Sequence, residues 1–173
     1  MIIFFLIILF CIALIMTTKL IDTLTGKLGP AIATPHTALD QINTALDIKS
    51  NSEVWEIGCG DARVLSHCAN IHPNSNFIGI DNGIIMLARA KWRTRHQKNV
   101  NIRYGNLRSI SLNGATNVYI YLLPETLGLI KPKIPKSCRV VSLEFSFPEI
   151  EPNTIVMLPK TTIFAHRLFI YKF

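Results

Sequence analysis

The chain has 173 residues, 49% of them apolar, with 18 basic and 11 acidic side chains for a net charge of +7. Its first sixteen residues, Met1 to Met16, contain no polar side chain, and the remaining residues, about 157 in number and roughly 44% apolar, have the composition of one ordinary domain. These proportions exclude disorder, a collagen-like repeat, a coiled coil and a polytopic membrane protein.

As a helix the apolar run spans about 24 Å, and Thr17 and Thr18 extend it to about 27 Å, close to a hydrocarbon core of about 30 Å. Twelve of its sixteen residues are Ile, Leu or Phe. Each favours insertion by roughly 0.3 to 0.6 kcal/mol, and no charge opposes them. A cleaved signal peptide needs a basic leading segment and a small-x-small cleavage site, and neither precedes Thr17. The expectation is an uncleaved transmembrane anchor over 1–18, with a removed signal peptide as the alternative. Lys19 and Lys27 flank its C-terminal side, so positive-inside bias implies a single-pass membrane protein with its domain on the cytoplasmic side. Residues 19–35 carry Gly26, Gly29, Pro30 and Pro35 and read as a linker, which leaves 36–173 as the folded domain.

Thr34 or Thr37 can cap a helix with the apolar stripe Leu39, Ile42, Leu46 and Ile48. A strand from Val54 to Ile57 follows and ends in the turn Gly58-Cys59-Gly60. Asp61 can cap a helix to about Ile71, with Val64, Leu65, Cys68 and Ala69 facing inward. Asn76 to Ile80 reads as a strand, and Asn82 opens a helix to about His96 that is apolar at Ile85, Met86, Ala90 and Trp92. Further strands are Val100 to Tyr104, Asn117 to Leu122 and Cys138 to Phe147, with an antiparallel hairpin from Ile155 to Leu158 and Thr161 to Tyr171. Alternating strands and helices imply an α/β fold: a Rossmann-like, doubly wound sheet, mostly parallel with a C-terminal antiparallel hairpin, preceded by the N-terminal transmembrane helix.

In such sheets a ligand lies beyond the carboxyl ends of the strands. Gly58 and Gly60 allow a tight turn and close approach to backbone amides. Arg63 stands where a dinucleotide fingerprint needs its third glycine, so a nicotinamide cofactor is disfavoured. Glu56, at the tip of the first strand, suits an ammonium or sulfonium better than a phosphate. Asp81, at the tip of the second, can accept both hydroxyls of a ribose. That combination argues for S-adenosylmethionine. The cysteines at 11, 59, 68 and 138 show no CxxC and no zinc-like pairing, so no metal is expected and the thiols read as reduced and incidental.

The basic excess is local. No acidic residue lies between Asp81 and Glu125, while Arg89, Lys91, Arg93, Arg95, Lys98, Arg103 and Arg108 all do. This segment reads either as a solvated helix or as a face for anionic lipid headgroups. Nucleic acid is disfavoured because few aromatic residues nearby could stack on bases.

The stretch Val54 to Arg63 resembles motif I of the class I, seven-stranded methyltransferases, and Gly79-Ile80-Asp81 resembles the acidic motif that follows it. Three further stretches resemble the small membrane-anchored methyltransferases related to the ATP synthase c-subunit and adenine nucleotide translocase lysine methyltransferases. They are Ala33-Thr34-Pro35-His36; Tyr121-Leu122-Leu123-Pro124-Glu125 with Lys131-Pro132-Lys133; and Arg139-Val140-Val141-Ser142 running into Phe145-Ser146-Phe147-Pro148 and Pro152. The resemblance implies that Glu56 contacts the methionine amino group, that Gly58 and Gly60 leave room for the cofactor, and that Asp81 holds the ribose. Cys59, Asn82, Asn106 and Leu107 complete the implied cofactor set. The chain departs from the family pattern at Ala62, where a third glycine is usual, at Asn106 in place of an Asp, and at Ile150 in place of a Trp. The Asn106 amide oxygen can still accept a hydrogen bond from the adenine amino group.

Methyl transfer requires a nucleophile in line and about 3 to 3.5 Å from the methyl carbon, and a lysine acceptor must be neutral. Tyr121 and Glu125 are the candidate catalytic residues; Tyr121 also reads as a core-edge aromatic and Glu125 as a first-turn acid. Strand alternation is expected to turn Glu144 away, and His36 either lines the cofactor entrance or sits in a surface loop. Residues 107–116 leave no room for a helix plus a strand, and no cap domain is expected. An open site suits a macromolecule. The expected activity is protein-lysine methylation of a membrane protein. A lipid or small-molecule methyltransferase and a tethered, non-catalytic cofactor-binding module are the alternatives.

Overall fold

The computed structural model describes residues 2–24, 33–159 and 165–173. The chain forms two units, Met1–Pro30 and Ala31–Phe173. The first contains helix α1 (Ile2–Leu24), which runs past the expected boundary at Thr18, so residues 19–24 are helical; 25–32 lie outside the described residues. Among the described residues no helix is long and apolar enough to cross a membrane. The described side chains of α1, residues 4–17, are all exposed and cover about 21 Å of helix against a hydrocarbon core of about 30 Å. The transmembrane expectation therefore stands on the sequence alone.

The second unit opens with a 3-10 turn, His36–Ala38, leading into α2 (Leu39–Leu46). The expected stripe is buried at Leu39, Ile42, Leu46 and Ile48. Threonine capping does not occur: Pro35 and Ala38 hold the cap positions without a side-chain bond. The Thr34 hydroxyl instead pairs with the Tyr119 hydroxyl at 2.9 Å.

Then follow β1 (Glu53–Ile57), α3 (Arg63–Ile71), β2 (Asn76–Asp81), α4 (Ile84–Arg93), β3 (Val100–Tyr104), β4 (Asn117–Ile120), α5 (Pro124–Ile130), β5 (Arg139–Leu143), β6 (Thr154–Met157) and β7 (Arg167–Lys172). The sheet order is β3-β2-β1-β4-β5-β7-β6. Strands β1 to β5 are parallel, β7 runs antiparallel to β5, and β6 runs antiparallel to β7. The Rossmann-like sheet and the C-terminal antiparallel hairpin are as expected, but the last strand, expected from Thr161, runs from Arg167, and 160–164 lie outside the described residues. The strands expected to reach Leu122 and Phe147 end earlier, at Ile120 and Leu143.

Period-two alternation sorts the strand side chains onto two cores. Val54, Phe77, Ile102, Tyr119 and Val141 pack with α2, α3 and α4, including Val64, Leu65, Cys68 and Ala69 as expected. Trp55, Ile57, Ile78, Ile80, Val118 and Ile120 face the other way, against Leu127 and Ile130 of α5 and Leu112, Ala115 and Phe147.

Two helix starts differ from expectation. The cap of α3 is Ala62, in the left-handed region at φ +56° and without a side-chain bond, because the Asp61 carboxylate is drawn off by two arginines. Helix α4 begins at Ile84 and ends at Arg93. Ala90 lies in its core face as expected, but Ile85 and Trp92 are each 70% exposed. Leu87 and Ala90 set the inner face.

Candidate active site

Strand β1 lies between β2 and β4, so connections leave it in opposite directions and a crevice opens beyond the strand ends at that point. Gly58 and Gly60 carry positive φ values of +72° and +53°, which favour glycine. A Cβ on Gly58 would lie 2.9 Å from Leu122 Cδ2, whereas one on Gly60 would meet nothing within 4 Å. Packing therefore restricts the first glycine, and open space lies over the second. The Gly58 and Cys59 N–H groups both donate to the Ile80 carbonyl, at 2.8 and 3.0 Å. The Asp81 carboxylate extends the tie, accepting from Gly60 N–H at 2.8 Å through Oδ2 and from Gly83 N–H at 2.7 Å through Oδ1. Glu56, Gly58, Cys59, Gly60, Asp81 and Asn82 are thereby brought together at the tips of β1 and β2.

Glu56 is 4% exposed. Its hydrogen bond among the described residues is from Leu65 N–H to Oε2, at 3.3 Å. Burial pushes its carboxyl well above the usual range; the Leu65 bond opposes the rise, and Asp61 and Asp81 add to it. A buried carboxylate held by one N–H has acceptor capacity left for a cation. Burial also pushes the Cys59 thiol far up, so at neutral pH it faces the turn as an uncharged group.

Past β3, Gly105 N–H donates to the Asp81 carbonyl at 3.0 Å, which sets the following turn beside the same strand ends. Asn106 is exposed. Its Oδ1, expected to face the adenine, accepts from Arg108 N–H at 2.9 Å; one lone pair of that oxygen and the amide NH2 stay available. Leu107 is half-buried against the second core.

At the tip of β4, Tyr121 stacks on Phe145, with ring centroids 6.3 Å apart and planes inclined by 28°. Burial raises its phenol, and the charge of Glu144 raises it further. Alternation does not govern Glu144, which lies past the end of β5. β5 ends at Leu143, and Glu144 takes a positive φ of 65°, which breaks the period. Its Oε2 accepts from His166 N–H at 2.6 Å, and its Oε1 lies 3.5 Å from Arg167. Glu125 sits in the first turn of α5, exposed, its carboxylate without a hydrogen bond or ion pair among the described residues. His36 is exposed in its 3-10 turn.

The sequence reading missed a lock beneath the crevice. Arg63 donates to both Asp61 carboxylate oxygens at 3.1 and 3.0 Å and to the Thr34 carbonyl at 2.9 Å. Arg93 donates to Asp61 Oδ2 at 2.8 Å and to the Asp61 carbonyl at 2.9 Å. Burial works against ionisation of Asp61, but Arg63 and Arg93 outweigh it and hold the carboxyl below its usual range. Thr34 and Arg63 both lie in the stretches that carry the family resemblance; nothing local to them indicates the partnership.

The model of the ANTKMT methyltransferase domain family matches residues 56–154. The chain belongs to this family. It is therefore an S-adenosylmethionine-dependent methyltransferase. It is 23% identical to a protein-lysine N-methyltransferase of Saccharolobus islandicus, over 82% of this chain and 92% of that one. It is 29% identical to the adenine nucleotide translocase lysine N-methyltransferase of Mus musculus, over 58% of this chain and 47% of the mouse protein, so less than half of that relative is matched. Among solved structures, the fold matches an RNA methyltransferase of Salinibacter ruber in complex with S-adenosyl-L-homocysteine. The TM-score is 0.74 at 22% identity, covering 82% of this chain and 93% of that one.

Proposed function

We propose that this methyltransferase acts on lysine side chains of a membrane-associated protein. The observation that carries the reading is the stacked Tyr121 and Phe145 beside Glu144 at the carboxyl end of the sheet. An aromatic wall next to a carboxylate suits an alkyl chain that ends in an amine. The names of the Saccharolobus islandicus and mouse relatives agree with that acceptor.

The residues at the tips of β1 and β2 fit the cofactor. The spare acceptor capacity of buried Glu56 suits the methionine ammonium, and Asp81 suits the ribose hydroxyls. The open space over Gly60 admits the ligand between them. Cys59, Asn82, Asn106 and Leu107 would line the remainder. When bound, S-adenosylmethionine supplies an electrophilic methyl group on a sulfonium. The chain's own part is to orient the amine and keep it neutral. The Tyr121 and Phe145 pair would form one wall along the lysine stem, and Glu144 would accept the ammonium proton. In this geometry Glu125 serves as a first-turn helix acid, and Glu144 takes the role considered for it from sequence.

The apolar N-terminal segment supports a single-pass anchor through membrane lipid. Lys19 and Lys27 support a cytoplasmic-side domain. The test is mass spectrometry of membrane proteins from cells with and without the gene. Loss of lysine methylation on a membrane protein is expected. Transfer of radiolabelled methyl groups only to lipid or small molecules in membrane fractions would overturn the reading.

A further inference from the structure

The outer face of α4 has no role in the site described above. Ile84 and Ile85 are 78% and 70% exposed, and Trp92, two turns on, is 70% exposed. At 100° per residue these three fall on one side of the helix, opposite Leu87 and Ala90. Arg89, Lys91 and Arg95 are exposed around them. The Arg95 guanidinium lies over the Trp92 ring at 4.2 Å and donates to the Trp92 carbonyl at 2.7 Å. No acidic residue occurs from 82 to 124 to offset these cations. Arg93 is not part of this face, being bonded to Asp61.

We propose that this face docks on an anionic bilayer surface, with the two isoleucines and Trp92 entering the interface and Arg89, Lys91 and Arg95 meeting lipid phosphates. A solvated helix does not need large apolar side chains on its outer face. A protein interface does not need three cations without a single acid in the segment. Apolar and aromatic groups flanked by Arg and Lys are the composition of an in-plane interfacial helix. Helix α4 starts at Ile84, three residues after Asp81, so docking through it would bring the crevice close to the headgroups. The inference rests on the proposed membrane location, and the measurement below separates the two.

The chain has two tryptophans; Trp55 is buried at 6% exposure, so Trp92 is the surface reporter. The full chain is reconstituted into phosphatidylcholine vesicles carrying brominated acyl chains, with and without phosphatidylglycerol. The Trp92 signal is the difference between the wild type and Trp92→Phe. Quenching is expected in the anionic vesicles and much less in the zwitterionic ones. Arg89→Glu combined with Lys91→Glu is expected to lower the docked population roughly tenfold or more. Neither side chain makes a hydrogen bond or ion pair among the described residues, so the doubly substituted chain should unfold at the wild-type temperature. Equal quenching in both vesicle types, quenching that survives the charge reversal, or protection of Trp92 by a second copy or an oligonucleotide without lipid quenching would each overturn the proposal. Retention of the chain on vesicles through an alkaline wash reports the anchor separately.

Discussion

Burying Glu56 at 4% exposure gives the folded chain a proton that the unfolded chain has already lost over part of the pH range. Its raised carboxyl contributes stability that is full below the unfolded value of about 4.3 and is lost as pH rises through the folded value. Glu56→Gln should therefore unfold at a higher temperature than the wild type, by a margin that grows as pH rises from that unfolded value. The same substitution should weaken cofactor binding, because it removes the charge available to an ammonium. Thermal unfolding across pH together with calorimetry tests both; a margin constant in pH, or unchanged affinity, would count against the role. Asp81→Ala removes the acceptors of Gly60 and Gly83 N–H as well as the ribose partner. Cofactor affinity should fall by about 1.5 to 3 kcal/mol, and unchanged affinity in a folded variant would relocate the ribose. The types of both carboxylates, and their positions at strand ends, were legible in the sequence. Glu144 was not, because its position depends on where β5 stops and on a left-handed residue that interrupts the alternation.

Between elements, the closest approach is at Gly79 in the middle of β2. A Cβ there would lie 2.7 Å from Leu65 Cδ1, 2.8 Å from Ile102 Cδ1 and 3.0 Å from Cys59 Sγ, so α3, β3 and the glycine turn all crowd it. Gly79→Ala should cost roughly 1 to 3 kcal/mol, seen as a lower denaturation midpoint at an unchanged slope. A wild-type midpoint would mean that the layers give way easily. The inner face of α3 was readable because Val64, Leu65, Cys68 and Ala69 recur at helical spacing. Helix α4 was half readable. Its apolar residues surround the helix, and spacing alone could not tell which of Leu87, Ala90, Ile85 and Trp92 would meet the sheet. Asp61 has the chemistry of a helix cap, yet two arginines, one of them 32 residues away, claim its carboxylate. Capping preferences are too weak to prevail over charge-assisted bonds of that kind.

Over the whole domain, protection follows the sheet order. Strand β4 is buried at every position, and β1 and β5 at all but their first, while the edge strands β3 and β6 are largely exposed. Amide hydrogen exchange should be slowest in β1, β4 and β5 and fastest among the strands in β3 and β6. Comparable protection across all seven would contradict the order. The sequence by itself determined the alternation of strands and helices, the glycine turn, the acids at the strand tips and the C-terminal hairpin. All of these rest on periodicity or on the conformational needs of neighbouring residues. Tertiary structure alone decided that Thr34 would bond Tyr119, 85 residues away, that Asp61 would join three segments, and that the outer face of α4 would be apolar and basic. A local pattern states what a side chain can do, whereas the partner it finds depends on which distant segments the sheet brings beside it.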